Sequence, residues 1–163
     1  MIFRNYYVHK NTRLVLESDG EHLTGLFFAD SKDKTNEFET QKDLPIFLQT
    51  KKWLDIYFSG KNPDFVPKIK INNLTPFRKK VYEIMSQIPY GKTMTYGEIA
   101  EILAKKQGIK KMSAQAVGGA VGANPICIIL PCHRVVGKSG LVGFGGGLHN
   151  KKMLLEIERQ NHN

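Results

Sequence analysis

The sequence lacks any apolar run approaching the roughly 18–20 residues that a membrane span requires, so no membrane is expected among its partners. Its first residues, with Arg4, His9 and Lys10 set among aromatics, lack the central apolar stretch of a signal peptide, and the cytoplasm is the expected compartment. Cysteine is scarce. Cys127 and Cys132 stand five positions apart on one short segment and cannot staple distant elements together, so reduced thiols are expected. Low-complexity tracts are absent, and 41% hydrophobic with 24% charged residues excludes disorder and a fibrous architecture. Acidic side chains are thin in the second half: Leu74–Asn163 holds 13 basic and 5 acidic residues, against 11 and 10 in Met1–Asn73. Most of the net charge of +9 therefore sits on one half, which suits a polyanion such as nucleic acid, although a solvated basic face gives the same count. At 163 residues the chain can bury a real core, as one ordinary domain or as two small ones.

In the first seventy residues short alternating stretches, Tyr6-Tyr7-Val8, Leu14-Val15-Leu16 and Leu23 to Phe28, flank the turn signal Asp19-Gly20 and predict a small antiparallel sheet. Between Asp43 and Ser59 the apolar residues fall mostly at helical spacing, with Gly60 as a stop. The segment from Asn62 to Asn73, with Pro63, Pro67 and an alternating run Val66–Ile71, reads as a strand or extended connection to a second unit. The expected domains are thus 1–73 and 74–163.

The second unit opens on helix signals. Thr75-Pro76 combines a capping hydroxyl with a proline tolerated at the first helical position, and Phe77, Val81, Ile84, Met85 and Ile88 form one apolar stripe. Thr95-Tyr96-Gly97-Glu98 is a capping-box pattern that starts a second helix ending near Gln107-Gly108, and Ser113 caps a third from Ala114 to about Ala123. Two short helices across a compact turn suggest a helix-turn-helix, though such pairs also serve as plain packing units. The third helix is nearly bare: Ala114, Gln115, Ala116, Val117, Gly118, Gly119, Ala120, Val121, Gly122. Each interior glycine costs about 1 kcal/mol relative to alanine. Either another helix packs tightly here or something external approaches closely.

Ile126–Leu130 is wholly apolar and reads as a buried strand, which makes Cys127 a core residue. Cys132 differs: it follows Pro131, precedes a potential base in His133 and has Arg134 near it in the chain. A free thiol has a pKa of about 8.5, and nearby cationic or hydrogen-bonding groups lower it, which is the setting of a nucleophile. A structural Cys-His pair, a metal site and a thiol protease compete with that reading. Metal is discounted, because His9, His22, His149 and His162 are scattered without ligand spacing. A thiol protease would draw its pair from distant parts of the chain, and adjacent side chains do not simply face each other, so His133 would act through a bridging water.

Pro131-Cys132-His133-Arg134-Val135, preceded by Val117-Gly118 and Asn124-Pro125 and followed by Gly143-Phe144-Gly145-Gly146-Gly147-Leu148, resembles the O6-alkylguanine-DNA alkyltransferase family, the methylated-DNA–protein-cysteine methyltransferases. The match runs from about Thr75 to Glu158; residues 1–70 fit the family's N-terminal domain in size and pattern only. The fold the resemblance implies is α+β: a small N-terminal antiparallel sheet plus helix, ribonuclease H-like, followed by a winged helix-turn-helix-like C-terminal domain.

The function it implies is DNA repair by stoichiometric, irreversible transfer of an alkyl group from O6-alkylguanine, with O4-alkylthymine as a further candidate, to an internal cysteine. No cofactor and no metal are expected. By resemblance Cys132 is the acceptor, His133 takes its proton through a water, Glu158 orients His133, and Asn124 stabilises the turn between recognition helix and active-site segment. Tyr96 corresponds to a tyrosine that binds the flipped base and supplies a proton to departing guanine. Val135, Phe144, Gly145 and Lys151 would complete the base pocket, with Phe144 where many relatives have tyrosine. Ala114, Gln115, Ala116, Gly118 and Gly119 would meet DNA in the minor groove, Gln115 standing where many members carry an intruding arginine. Arg134 is expected as a hinge or phosphate contact. The implied partner is double-stranded DNA with an alkylated, flipped nucleotide, bound by a monomer. A non-catalytic winged-helix lesion-binding protein and a thiol hydrolase are the alternatives.

Overall fold

The computed structural model describes residues 1–30, 43–140 and 147–161. The chain divides into two compact units, one of residues 1–72 with 125–129 and the other of 73–124 with 130 onward.

The first unit is built on three antiparallel strands, β1 (Phe3–His9), β2 (Thr12–Ser18) and β3 (Leu23–Phe28), in the order β1-β2-β3. The register runs from Phe3 opposite Ser18 to His9 opposite Thr12, and from Leu14 opposite Phe28 to Ser18 opposite Leu23. At the predicted Asp19-Gly20 turn, the Asp19 carboxylate accepts from the backbone N–H groups of Glu21 and His22, and Gly20 adopts a φ of 112°. The helix expected between Asp43 and Ser59 is α1 (Pro45–Phe58), which buries Ile46, Phe47, Trp53, Leu54, Tyr57 and Phe58.

The stretch 62–73, expected as a strand or extended connection, and the stretch 126–130, expected as a strand, each make a single bridge to β3. Leu23 pairs with Ile69, and Leu26 with Ile126, both in parallel sense. In the second stretch Pro125 stands at a position that would donate to β3 and has no N–H to give. Beyond Ile126 the backbone leaves extended geometry altogether: Ile128 has φ 69°, and the Ile129 N–H donates to the Cys127 carbonyl at 2.7 Å, closing a tight three-residue turn. A β-branched residue at positive φ is strained, and it ends the predicted strand after one residue.

The second unit holds α2 (Pro76–Met85), β4 (Met94–Thr95), α3 (Tyr96–Gln107), α4 (Ala114–Gly122), a single 3₁₀ turn (Cys132–Arg134), β5 (Val135–Val136) and α5 (Leu148–Asn161). Its helix starts are those the caps predict. Thr75 accepts from the Arg78 N–H, Ser113 from the Ala116 N–H, and Thr95 and Glu98 form the reciprocal capping box. Gly108 ends α3 in the left-handed region at φ 67°. Val81, Ile84, Met85, Ile99, Leu103, Val117, Val121 and Leu154 are buried.

One short pairing positions the site. β4 and β5 are parallel, Met94 beside Val135 and Thr95 beside Val136. Since β4 runs straight into Tyr96 and β5 leaves straight from Arg134, the pairing sets the first residue of α3 next to the segment that carries Cys132. Among the described residues no helix is long and apolar enough to cross a membrane.

Candidate active site and nucleic-acid interface

Pro131, with φ −80° and ψ 65°, is the centre of an inverse γ-turn in which the Cys132 N–H donates to the Leu130 carbonyl at 2.7 Å. The side chain of Asn124, two residues past α4, donates to that same carbonyl at 3.0 Å. One acceptor thus ties the end of α4 to the turn that presents the thiol. Cys132 then heads the 3₁₀ turn and is 5% exposed, so a reagent must be brought to the sulfur and cannot meet it on open surface.

The next two residues converge on α5. His133 and Glu158 are both buried, and Nε2 of His133 lies 2.5 Å from Oε2 of Glu158. Arg134 donates from Nε to Oε1 at 2.8 Å and from Nη2 to Oε2 at 3.3 Å, while Nη1 donates to the Ile88 carbonyl at 2.7 Å. The Gly91 N–H adds a bond to Oε1 at 3.0 Å. Burial pushes the Glu158 carboxyl up, but the hydrogen bonds and positive charges of His133 and Arg134 outweigh it and hold the group down to about 2. Burial pushes His133 the other way, below its ordinary value; the cations Arg134 and Lys151 add to that push, against the attraction of Glu158. At neutral pH the pair is therefore a carboxylate beside a neutral imidazole, which is an oriented base.

Lys151, on α5, is fully buried and donates to the Val135 carbonyl at 2.7 Å. Burial lowers its pKa, and the negative charge of a Cys132 thiolate opposes that fall. The same charge raises the phenols of Tyr82 and Tyr96, in each case after the larger effect of burial. The sulfur thus sits in electrostatic reach of an ammonium that favours its charge and of two phenols that stay protonated. Tyr82 is committed to structure, its hydroxyl donating to the Ala120 carbonyl of α4 at 2.8 Å. Tyr96 faces an open cleft of about 1150 Å³.

That cleft lies between the start of α3 and the outer face of α4, with Gln115, Gly118, Gly119 and Lys138 on its walls. Helix α4 buries Val117, Ala120 and Val121 and leaves Ala114, Gln115, Ala116, Gly119 and Gly122 exposed. A Cβ placed on Gly118 would meet the Tyr96 ring at 3.8 Å, an ordinary contact, and one on Gly119 or Gly122 would meet nothing within 4 Å. Packing against another helix does not account for the outer glycines among the described residues. They keep clear a surface on which something external can lie.

The structure brings Cys132, His133, Glu158, Asn124, Val135 and Lys151 together and puts Tyr96 and Gln115 on the adjoining cleft. Phe144 and Gly145 lie outside the described residues. Arg134, expected as a hinge or phosphate contact, is buried, with its guanidinium spent on Glu158 and Ile88, where it faces no phosphate, and lying 5.7 Å from the Tyr90 ring centre. Sequence reasoning missed Tyr90, Gly91 and the Ile88 carbonyl, because Pro89-Tyr90-Gly91 reads only as a helix end. Among the described residues no group of three or more His, Cys, Asp or Glu side chains is arranged to hold a metal ion.

Comparison with known proteins bears on this geometry. A family model for the ribonuclease-like domain of 6-O-methylguanine DNA methyltransferase matches residues 3–71, and one for the DNA binding domain of the same proteins matches residues 76–160. The methylated-DNA–protein-cysteine methyltransferase of Haemophilus influenzae is 36% identical over 160 residues, covering 97% of this chain and 87% of the relative. The crystal structure of Mycobacterium tuberculosis O6-methylguanine methyltransferase superposes with a TM-score of 0.83 at 35% identity, covering 100% of this chain and 96% of that one. Mycobacterium tuberculosis OGT in complex with DNA does so at 0.81 and 35%, covering 98% and 94%.

Proposed function

The chain belongs to the 6-O-methylguanine DNA methyltransferase family, and from that premise we propose how its own residues repair alkylated DNA directly. It is a DNA-binding methyltransferase that moves an alkyl group from O6 of guanine to a cysteine of its own, and the acceptor is Cys132. The observation that carries this assignment is the buried carboxylate–imidazole pair, Glu158 with His133, placed next in the chain to a thiol whose charge acts on the cleft-facing phenol Tyr96.

The proton of Cys132 passes through a bridging water to Nδ1 of neutral His133, because Nε2 is engaged by Glu158. Buried Lys151 favours the thiolate. Sulfur then donates an electron pair to the alkyl carbon, the bond from that carbon to O6 breaks, and its pair remains with guanine. Tyr96, kept protonated by burial, gives the departing base a proton, and the proton held on His133 makes good that loss through solvent. The product is a thioether, which has no leaving path, so each molecule reacts once.

The alkylated nucleotide leaves the stack to reach a sulfur this enclosed, at a cost of a few kcal/mol. The exposed face of α4 enters the minor groove, where its missing side chains allow close approach. Gln115 fills the space left in the stack, and the basic second half attracts phosphates. A single copy of the chain supplies thiol, base, phenol and groove-facing helix, and we take it to act as a monomer. Cys132→Ser tests the assignment: transfer of a labelled methyl from an O6-methylguanine duplex should vanish while duplex affinity stays within about twofold of the parent. Loss of binding along with transfer would make Cys132 a structural residue instead.

A further inference from the structure

Four donors meet on the one carboxylate of Glu158: His133 Nε2, Nε and Nη2 of Arg134, and the Gly91 N–H. Arg134 supplies half of them, one to each oxygen, as a planar fork. The fork is itself fixed from behind, by Nη1 on the Ile88 carbonyl and by the Tyr90 ring 5.7 Å away. This arginine cannot turn outward without leaving a buried carboxylate and a buried carbonyl short of partners.

We infer that Arg134 is a positioning residue for alkyl transfer: by pinning both oxygens of Glu158 it fixes the carboxylate on Nε2 of His133 and so makes Nδ1 the ring atom that receives the Cys132 proton. The inference rests on the transfer reading above. Without Arg134 each oxygen would keep one bond, Oε2 to His133 and Oε1 to the single backbone N–H of Gly91. The guanidinium fork adds a second, rigid bond to each oxygen and so narrows the rotation that the carboxylate, and the ring bonded to it, can make. The orientation of the base is thus set by the residue next to it in the chain, acting through a glutamate on α5.

The fork also sets the acidity of the base. His133 is faced by Glu158 and Lys151 from α5 and by Arg134 from its own turn, and Glu158 is faced in addition by Tyr90 from the loop after α2. Of these, Arg134 and Lys151 disfavour imidazolium and Glu158 favours it. Removing Arg134 takes away one opposing cation and frees the carboxylate to attract imidazolium more strongly, so both effects raise the pH at which His133 gains a proton.

The test is the single-turnover rate of methyl transfer from an O6-methylguanine duplex as a function of pH, on the full chain. Arg134→Met should move the acidic limb of the profile up by about one pH unit, a rate loss of about tenfold just below that limb. Arg134→Lys, which keeps a cation without the fork, should recover part of the shift. A uniform rate loss with the limb unmoved would overturn the inference and leave Arg134 a structural ion-pair partner. Should Arg134→Met not fold, the ring nitrogen resonances of His133 in the unmutated protein decide: Nε2 protonated and Nδ1 bare is expected at neutral pH, and the opposite tautomer overturns the inference. An unmutated chain that takes up no methyl would instead refute the transfer reading, while the tautomer would still report on the clamp.

Discussion

Replacing Gly119 by alanine should make the free protein more stable and its complex with DNA weaker, two effects of opposite sign from one methyl group. Gly119 lies inside the nine-residue helix α4, is exposed, and has nothing within 4 Å of the position its Cβ would take. Alanine there gains the helix-propensity difference of about 1 kcal/mol and meets no steric cost, which for a chain of this size raises the melting temperature by about 2–4 °C. Against DNA the sign reverses. If α4 lies on the floor of the minor groove, each added carbon must displace the groove wall or the helix, and forced overpacking costs about 1–3 kcal/mol. A larger side chain magnifies this: Gly119→Leu should lower duplex affinity by about tenfold or more while leaving the melting temperature at or above that of the parent. Thermal unfolding followed by circular dichroism gives the first quantity, and fluorescence anisotropy with an O6-methylguanine duplex gives the second. A lower melting temperature for Gly119→Ala would mean that the glycine serves internal packing. Unchanged DNA binding by Gly119→Leu would mean that this face of α4 does not meet the duplex.

Two other perturbations have signs that follow from the geometry. Gln115 is exposed on the cleft wall and uncharged, so Gln115→Arg, which adds a charged donor to the group proposed to enter the stack, should tighten duplex binding by about fivefold, the worth of ~1 kcal/mol; equal affinity and equal transfer rate in the two proteins would remove Gln115 from that role. Acid should destabilise the fold through the buried pair. His133 has a folded pKa below its ordinary 6.5, so the unfolded chain binds a proton the folded one refuses as pH falls below about 6.5. Glu158, held at about 2 against an ordinary 4.5, adds about 3 kcal/mol that is present above pH 4.5 and lost as pH falls from there toward 2. Urea unfolding between pH 7.5 and about pH 2.5 measures the slope across both windows, and a flat profile would contradict the assignment of charges in the pair.

Local physics makes much of the second unit legible in the sequence alone. The caps at Thr75, Thr95 with Glu98, and Ser113 each act over three residues, and all three helices begin where those residues lie. Strand limits were less legible, because apolar content does not report backbone torsion: Ile126–Leu130 looks like a strand, yet Ile128 sits at φ 69° and the run makes one bridge. Within the site, Cys132 and His133 stand out by their neighbours in the chain, while Glu158, 25 positions on, is reached only through the family resemblance. Arg134 shows the limit. In a lysine- and arginine-rich half the sequence leaves Arg134 open as a hinge or a phosphate contact, and only the fold reveals that it turns inward to a carboxylate on α5. The Gly91 N–H, 67 positions from its acceptor, leaves no trace in sequence.

Whether Cys132 is the acceptor is decided by the mass of the intact protein after incubation with excess O6-methylguanine duplex, followed by peptide mapping. One methyl group per molecule should be added, confined to Cys132, with guanine restored in the duplex and no further gain on adding fresh substrate. An unchanged mass, or repair of many lesions by each protein molecule, would contradict that assignment.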